Sequence, residues 1–137
     1  TMSTAFFIVL DNKAPGFETF VNGKSLAKDS EGLDKIAEAL GIRLLDEFVS
    51  YSPEEARAMM EEMGGDPVEI EAIKLPDQTW YDPEEGLTWV RQMITHLQAA
   101  PSAVKHPEGV LEDLQEYQAV LEQAKAVGAK WNLQVDF

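Results

Sequence analysis

The sequence predicts an α+β fold: a small antiparallel or mixed sheet that includes both terminal strands, with helices packed on one face. Three observations carry this. A continuous apolar run opens the chain, a strictly alternating run closes it, and the segments between them repeat apolar residues at helical spacing. The regular strand–helix alternation of a doubly wound sheet is missing.

The opening run, Ala5-Phe6-Phe7-Ile8-Val9-Leu10, is rich in β-formers and bounded by Asp11-Asn12, so it reads as a strand buried on both faces. Residues 14–16 read as a turn. Asn22-Gly23, between Thr19-Phe20-Val21 and Lys24-Ser25-Leu26, has the sequence of a two-residue hairpin, because both residues tolerate positive φ. Ser30 is placed to cap a helix bearing Leu33, Ile36, Ala37 and Leu40, ended by Gly41. Leu44, Leu45, Phe48 and Val49 read as a short helical turn.

Two later helices open on nearly the same words, Tyr51-Ser52-Pro53-Glu54-Glu55 and Tyr81-Asp82-Pro83-Glu84-Glu85. In each, Ser or Asp is expected at the N-cap, proline at the first helical position and the second glutamate closing a capping box. The sequences diverge at once afterwards, so shared capping chemistry explains the likeness better than duplication. The first helix should end at Gly64-Gly65 with Ala56, Met59, Met60 and Met63 as its apolar stripe. The second carries Leu87, Val90, Ile94 and Leu97 and ends before Pro101. A long helix over about residues 107–127 presents Val110, Leu111, Leu114, Tyr117, Leu121 and Ala124 on one side. Residues 130–137 alternate, with Trp131, Leu133, Val135 and Phe137 opposite Lys130, Asn132, Gln134 and Asp136, as a half-buried strand does. Residues 68–75 read as a further strand.

A chain of 137 residues with 45% hydrophobic and 26% charged residues is expected to form one domain spanning residues 1–137. Met2 reads as the native start, behind an added Thr1. No apolar run approaches a membrane span, and residues 5–10 are too short for a signal-peptide core. Cysteine is absent, which removes disulfides, thiolate metal sites and cysteine nucleophiles. A cytoplasmic location is the expectation.

The formal net charge is −14, and it is concentrated. Residues 46–85 hold thirteen acids against Arg57 and Lys74, net −11, while residues 1–45 are net −1 and residues 86–137 net −2. No basic stripe exists to displace counterions from phosphates, so neither nucleic acid nor an anionic membrane is an expected partner.

Catalytic motifs are weak. Gly23-Lys24-Ser25 follows a strand, but a phosphate loop needs glycine where Glu18 stands. His96 and His106 sit in no zinc frame and read as helix-end residues. The glutamate pairs 54/55, 61/62 and 84/85 point apart on their helices and read as solvated faces and caps. No cofactor and no metal site is expected.

The most distinctive segment is Trp80-Tyr81-Asp82, with Trp89 two turns later. One of Trp80 and Tyr81 should staple the helix start; the other, with Trp89, should be a partly exposed aromatic beside dense acidic charge. Such aromatics anchor protein interfaces. Together with Glu61, Glu62 and Asp66 these three form the candidate binding surface.

Trp80-Tyr81-Asp82-Pro83-Glu84-Glu85-Gly86-Leu87, Val90-Arg91, Leu111-Glu112-Asp113-Leu114 and Leu133-Gln134-Val135-Asp136-Phe137 resemble a family of small uncharacterised bacterial proteins, over about residues 50–137. That resemblance implies a stand-alone bacterial chain and no activity. The leading expectation is a non-enzymatic binding module of immunity, inhibitor or adaptor type that meets a basic partner. The alternatives are a small hydrolase-like enzyme using carboxylates, with His96 or His106, in a cleft near Trp80 and Trp89, and a protein that self-associates as a homodimer.

Overall fold

The computed structural model describes residues 4–136. Met2 and Phe137, the last position of the terminal alternation, lie outside the described residues. The chain forms two compact units: one contains the chain up to residue 49 and from residue 80 onward, the other residues 50–79. The architecture is α+β, with six α-helices among the described residues and one antiparallel sheet made of both terminal strands.

In the larger unit, β1 (Ala5–Leu10) pairs with β2 (Trp131–Asp136), Ala5 opposite Asp136 and Leu10 opposite Trp131. Cross-strand neighbours share a face. Ile8 with Leu133 and Leu10 with Trp131 make the buried face, and all four lie in the core. The other face is less polar in its setting than the alternation predicts. Asn132 is wholly buried, Gln134 half-buried and Asp136 exposed, so this face opens only toward its Asp136 end. Phe6, Phe7 and Val9 are half-buried, so β1 is not fully covered on both faces as expected.

The expected hairpin at Asn22-Gly23 does not form. Gly23 has φ of +66°, as a type I′ turn would require, but it ends the connection by starting α1 (Lys24–Lys28). The reason is tertiary. The amides of Ser25 and Leu26 are held by the carboxylate of Asp113 at 2.9 and 3.2 Å, and Leu26 is fully buried. A helix turn satisfies both demands, whereas a strand at this point would leave Asp113 buried without donors.

Helix α2 (Ser30–Leu40) follows, with Asp29, not Ser30, at its N-cap position and Gly41 left-handed at its end. Asp29 does not cap this helix with its side chain. Its buried carboxylate instead accepts from the amides of Lys105 at 3.2 Å and His106 at 2.8 Å, tying two distant parts of the chain together. Leu33, Ile36 and Ala37 are buried as expected, but Leu40 is exposed. A 3-10 turn over Leu45–Phe48 brings Leu45 and Phe48 into the core.

Helices α3 (Pro53–Glu62) and α4 (Pro67–Ala72) make up the smaller unit and are taken up below. Back in the larger unit, α5 (Pro83–Ala99) and α6 (Pro107–Ala126) supply nearly half of the core. Leu87, Val90, Met93 and Leu97 from α5 meet Val110, Leu114, Tyr117 and Leu121 from α6 in one cluster. Each such side chain leaving water contributes about 2 kcal/mol. Gly86, on the buried stripe of α5, lets Trp131 approach. A methyl group there would lie 2.7 Å from the indole Cε2 and 2.9 Å from Leu121 Cδ1. Tyr117 donates its hydroxyl to the Phe6 carbonyl, and burial pushes its phenol well above its ordinary value. Among the described residues no helix is long and apolar enough to cross a membrane.

Candidate functional site

The six residues singled out in the sequence fall into two groups. Tyr81 and Trp89 come together in the larger unit, around Phe48 and Trp131. The Phe48 ring stands edge-on to Tyr81 at 5.1 Å and to Trp89 at 6.4 Å, and lies 4.8 Å from the Trp131 ring. Tyr81 is half-buried. Its backbone forms a bridge with Trp131, at 2.7 and 3.0 Å, and its hydroxyl donates to the Glu47 carbonyl at 2.8 Å. Trp80, next to it, is half-buried.

Trp89 is not the exposed anchor that its position beside acidic residues suggested. It is 3% exposed, and its indole N–H donates to the Arg43 carbonyl at 2.7 Å. It falls three residues after Gly86 and four before Met93, within the buried stripe of α5, so helical geometry turns it inward. Replacing Trp89 with Phe should cost about 2 kcal/mol, from the lost hydrogen bond and the unfilled volume, read as a lower denaturant midpoint at unchanged slope. An unchanged midpoint would show that the indole is not held as described.

The guanidinium of Arg43 covers this cluster. It stands 5.3 Å from the centre of the Tyr81 ring, with Nε 2.5 Å from Glu85 and Nη1 3.9 Å from Glu47. Glu85 therefore does not close a capping box at the start of α5. Asp82 alone caps it, accepting from the Glu84 amide at 2.9 Å. The hollow beside Trp89, about 380 Å³, is lined by Arg43, Phe48, Glu85 and Thr88 among others. Its carboxylate, Glu85, is already paired with a cation. The two carboxylates that their surroundings push upward stand elsewhere: Asp34 by burial and then by Asp46, Glu38 and Glu47, and Asp113 by burial. His96 is half-buried in the last turn of α5, and His106 is exposed ahead of α6, both at helix ends. Among the described residues no group of three or more His, Asp or Glu could hold a metal ion.

Glu61, Glu62 and Asp66 form the second group, on the smaller unit. Ser52 and Glu55 make a reciprocal capping box at the start of α3, at 3.1 and 3.0 Å. The helix stops where expected. Gly64, at φ of +93°, and Gly65 send their amides back to Glu61 and Met60 at 3.0 Å each. Residues 68–75, read as a strand, instead hold α4. Asp66 accepts from the Val68 amide at 2.9 Å and Pro67 takes the first helical position, the same cap-and-proline opening as at Ser52-Pro53 and Asp82-Pro83. That third occurrence was the signal in the sequence that would have revealed the helix. Ile70 is the one buried side chain among the described residues of this unit, and it packs at the turn, where a methyl on Gly65 would meet its Cδ1 at 2.8 Å.

Glu61 and Glu62 are exposed on the last turn of α3, and Glu69 and Glu71 are exposed on α4. Apolar side chains accompany them that charge counting overlooks. Met63 is 84% exposed and Val68 78%, and Ile73 is also exposed. Met63 was expected to join an inward stripe with Ala56, Met59 and Met60. Those three are half-buried, and Met63 turns out to solvent as the C-cap of α3. A shallow hollow of about 540 Å³ lies between Glu61, Pro67, Val68, Glu71 and Ala72.

With both groups placed, comparison with known proteins adds no relative. The chain matches no protein-family model, no curated protein and no solved structure.

Proposed function

We propose that this protein is a non-enzymatic binding module, of immunity, inhibitor or adaptor type, whose α3–α4 surface meets a basic protein partner. One observation carries the reading: residues 50–79 hold eight acids against Arg57 and Lys74, net −6, together with the exposed Met63, Val68 and Ile73. Charge steers the encounter and apolar side chains hold what has met, the usual division of labour at an interface. Within the same proposal the chain works in a bacterial cytoplasm, a reading supported by the resemblance of residues 50–137 to small bacterial chains.

The carboxylates of the two units differ in how they are paired. Glu47, Glu84 and Glu85 are met by Arg43, Arg91 or Lys125 and stabilise the larger unit's surface. Glu61 and Glu71 meet no cation among the described residues and project their charge outward.

The test uses a partner recovered on immobilised protein and then purified. Its association rate should fall about tenfold or more between low and physiological salt. The variant Glu61→Lys/Glu62→Lys/Glu71→Lys should lower that rate by about as much at low salt, with little change in dissociation rate and an unchanged circular dichroism spectrum. An association rate indifferent both to salt and to this charge reversal would overturn the proposal.

A further inference from the structure

Resting on that reading, we propose that the element received by the smaller unit is an amphipathic basic helix, its apolar side chain seated on Pro67, Val68 and Ala72 between Glu61 and Glu71. The floor and rim of the hollow are chemically distinct. Val68 and Ala72 are four residues apart on α4 and share a face, with Pro67 beside them, while carboxylates stand at Glu61 on α3 and Glu71 on α4. A side chain as apolar as valine, 78% exposed at the centre of such a frame, favours an apolar visitor there.

Charge decides what flanks that visitor. Glu61 and Glu71 face solvent with no cation beside them among the described residues. Of the two candidates near in sequence, Arg57 donates from Nη2 to the Ile73 carbonyl at 3.0 Å, and Lys74, three residues after Glu71, makes no ion pair with it. Lysine or arginine on either side of the apolar anchor would complement both carboxylates. A second copy of this chain is disfavoured as the occupant, since two faces of net −6 repel.

Backbone geometry decides the shape. The lining comes from two helices and their connection, so no open strand edge is offered for β-addition. A surface between two helices instead suits the i, i+4 anchors of a third, and one turn of helix places basic residues on both sides of an apolar one.

The test measures binding of the full chain to two labelled synthetic peptides of about 18 residues, long enough to form a helix on a surface. Both have the same Leu, Lys and Ala content. One is ordered so that Leu forms a stripe flanked by Lys when helical, and the other is scrambled so that no stripe forms. The ordered peptide should bind about tenfold tighter or better, and Val68→Ser, a change at an exposed position, should erase that advantage while leaving scrambled-peptide binding unchanged. Equal, salt-sensitive binding of both peptides would overturn this inference and leave the basic-partner reading standing. An advantage that survives Val68→Ser would also overturn it, by placing the contact elsewhere. Failure of both peptides to bind at low salt would overturn both.

Discussion

Replacing Gly23 with alanine is expected to destabilise the protein by about 3–5 kcal/mol, a large fraction of a typical domain's stability. Two costs add. The residue sits at φ of +66°, where a Cβ is strained, worth about 1 kcal/mol or more on its own. The new methyl would also fall inside the van der Waals envelope of the Phe6 carbonyl oxygen, a backbone atom of β1 that cannot rotate aside. Relief requires parting α1 from β1, which breaks the bond from the Phe6 amide to the Gly23 carbonyl at 3.4 Å and disturbs the Tyr117 hydroxyl that also rests on Phe6. Urea denaturation of Gly23→Ala beside Gly16→Ala provides the control. Gly16 also has positive φ, but its Cβ would meet nothing within 4 Å, so it should lose only the conformational part. Equal losses would mean that the close approach to β1 does not constrain this site.

The second large effect is at Asp113. Asp113→Ala leaves the amides of Ser25 and Leu26 without their acceptor in a buried setting and should cost about 2–4 kcal/mol. Asp113→Asn keeps one acceptor oxygen and should cost clearly less. The difference carries a pH signature. Burial raises the Asp113 carboxyl above its ordinary value, more than the amide bonds lower it, with Glu116 adding a smaller push upward. A carboxyl whose value is higher folded than unfolded contributes stability that is present below its unfolded value and lost as pH rises through the folded one. Wild type should therefore gain stability relative to Asp113→Asn as pH falls from neutral toward the ordinary carboxylate range. A constant difference across that span would show that the carboxyl is not desolvated.

Asp113 also shows why part of this fold is legible in a sequence and part is not. The terminal strands, α5, α6 and the Ser52 cap carry signals that are periodic or local in the sequence, even though the two strands pair with each other. The segment after Gly23 depends on a carboxylate 88 residues away, so the same Asn-Gly that suits a hairpin starts a helix instead. Asp29 is a similar case, because its partners are the amides of Lys105 and His106. Residues 68–75 were misread for a different reason. Asp66-Pro67 is a local signal, and the β-branched Val68, Ile70 and Ile73 masked it. Within the candidate site, the acids could be counted from sequence, but burial could not. Trp89 went inward with its stripe, and Met63 and Val68, apolar residues expected to hide, came to the surface.

The pairing of β1 with β2 has a consequence for synthesis. Residues 5–10 leave the ribosome well before their ladder partners, residues 131–136, are made. Until then the nascent chain carries Ala5-Phe6-Phe7-Ile8-Val9-Leu10 with no strand to pair against, a segment of high β-propensity without charge or proline. Helices α5 and α6, adjacent in the chain, can pair as they emerge, but α1 waits for Asp113 and the sheet waits for residues 131–136. Crowded polysomes are therefore where this chain is most exposed to aggregation, before its acidic surface has a folded body to belong to.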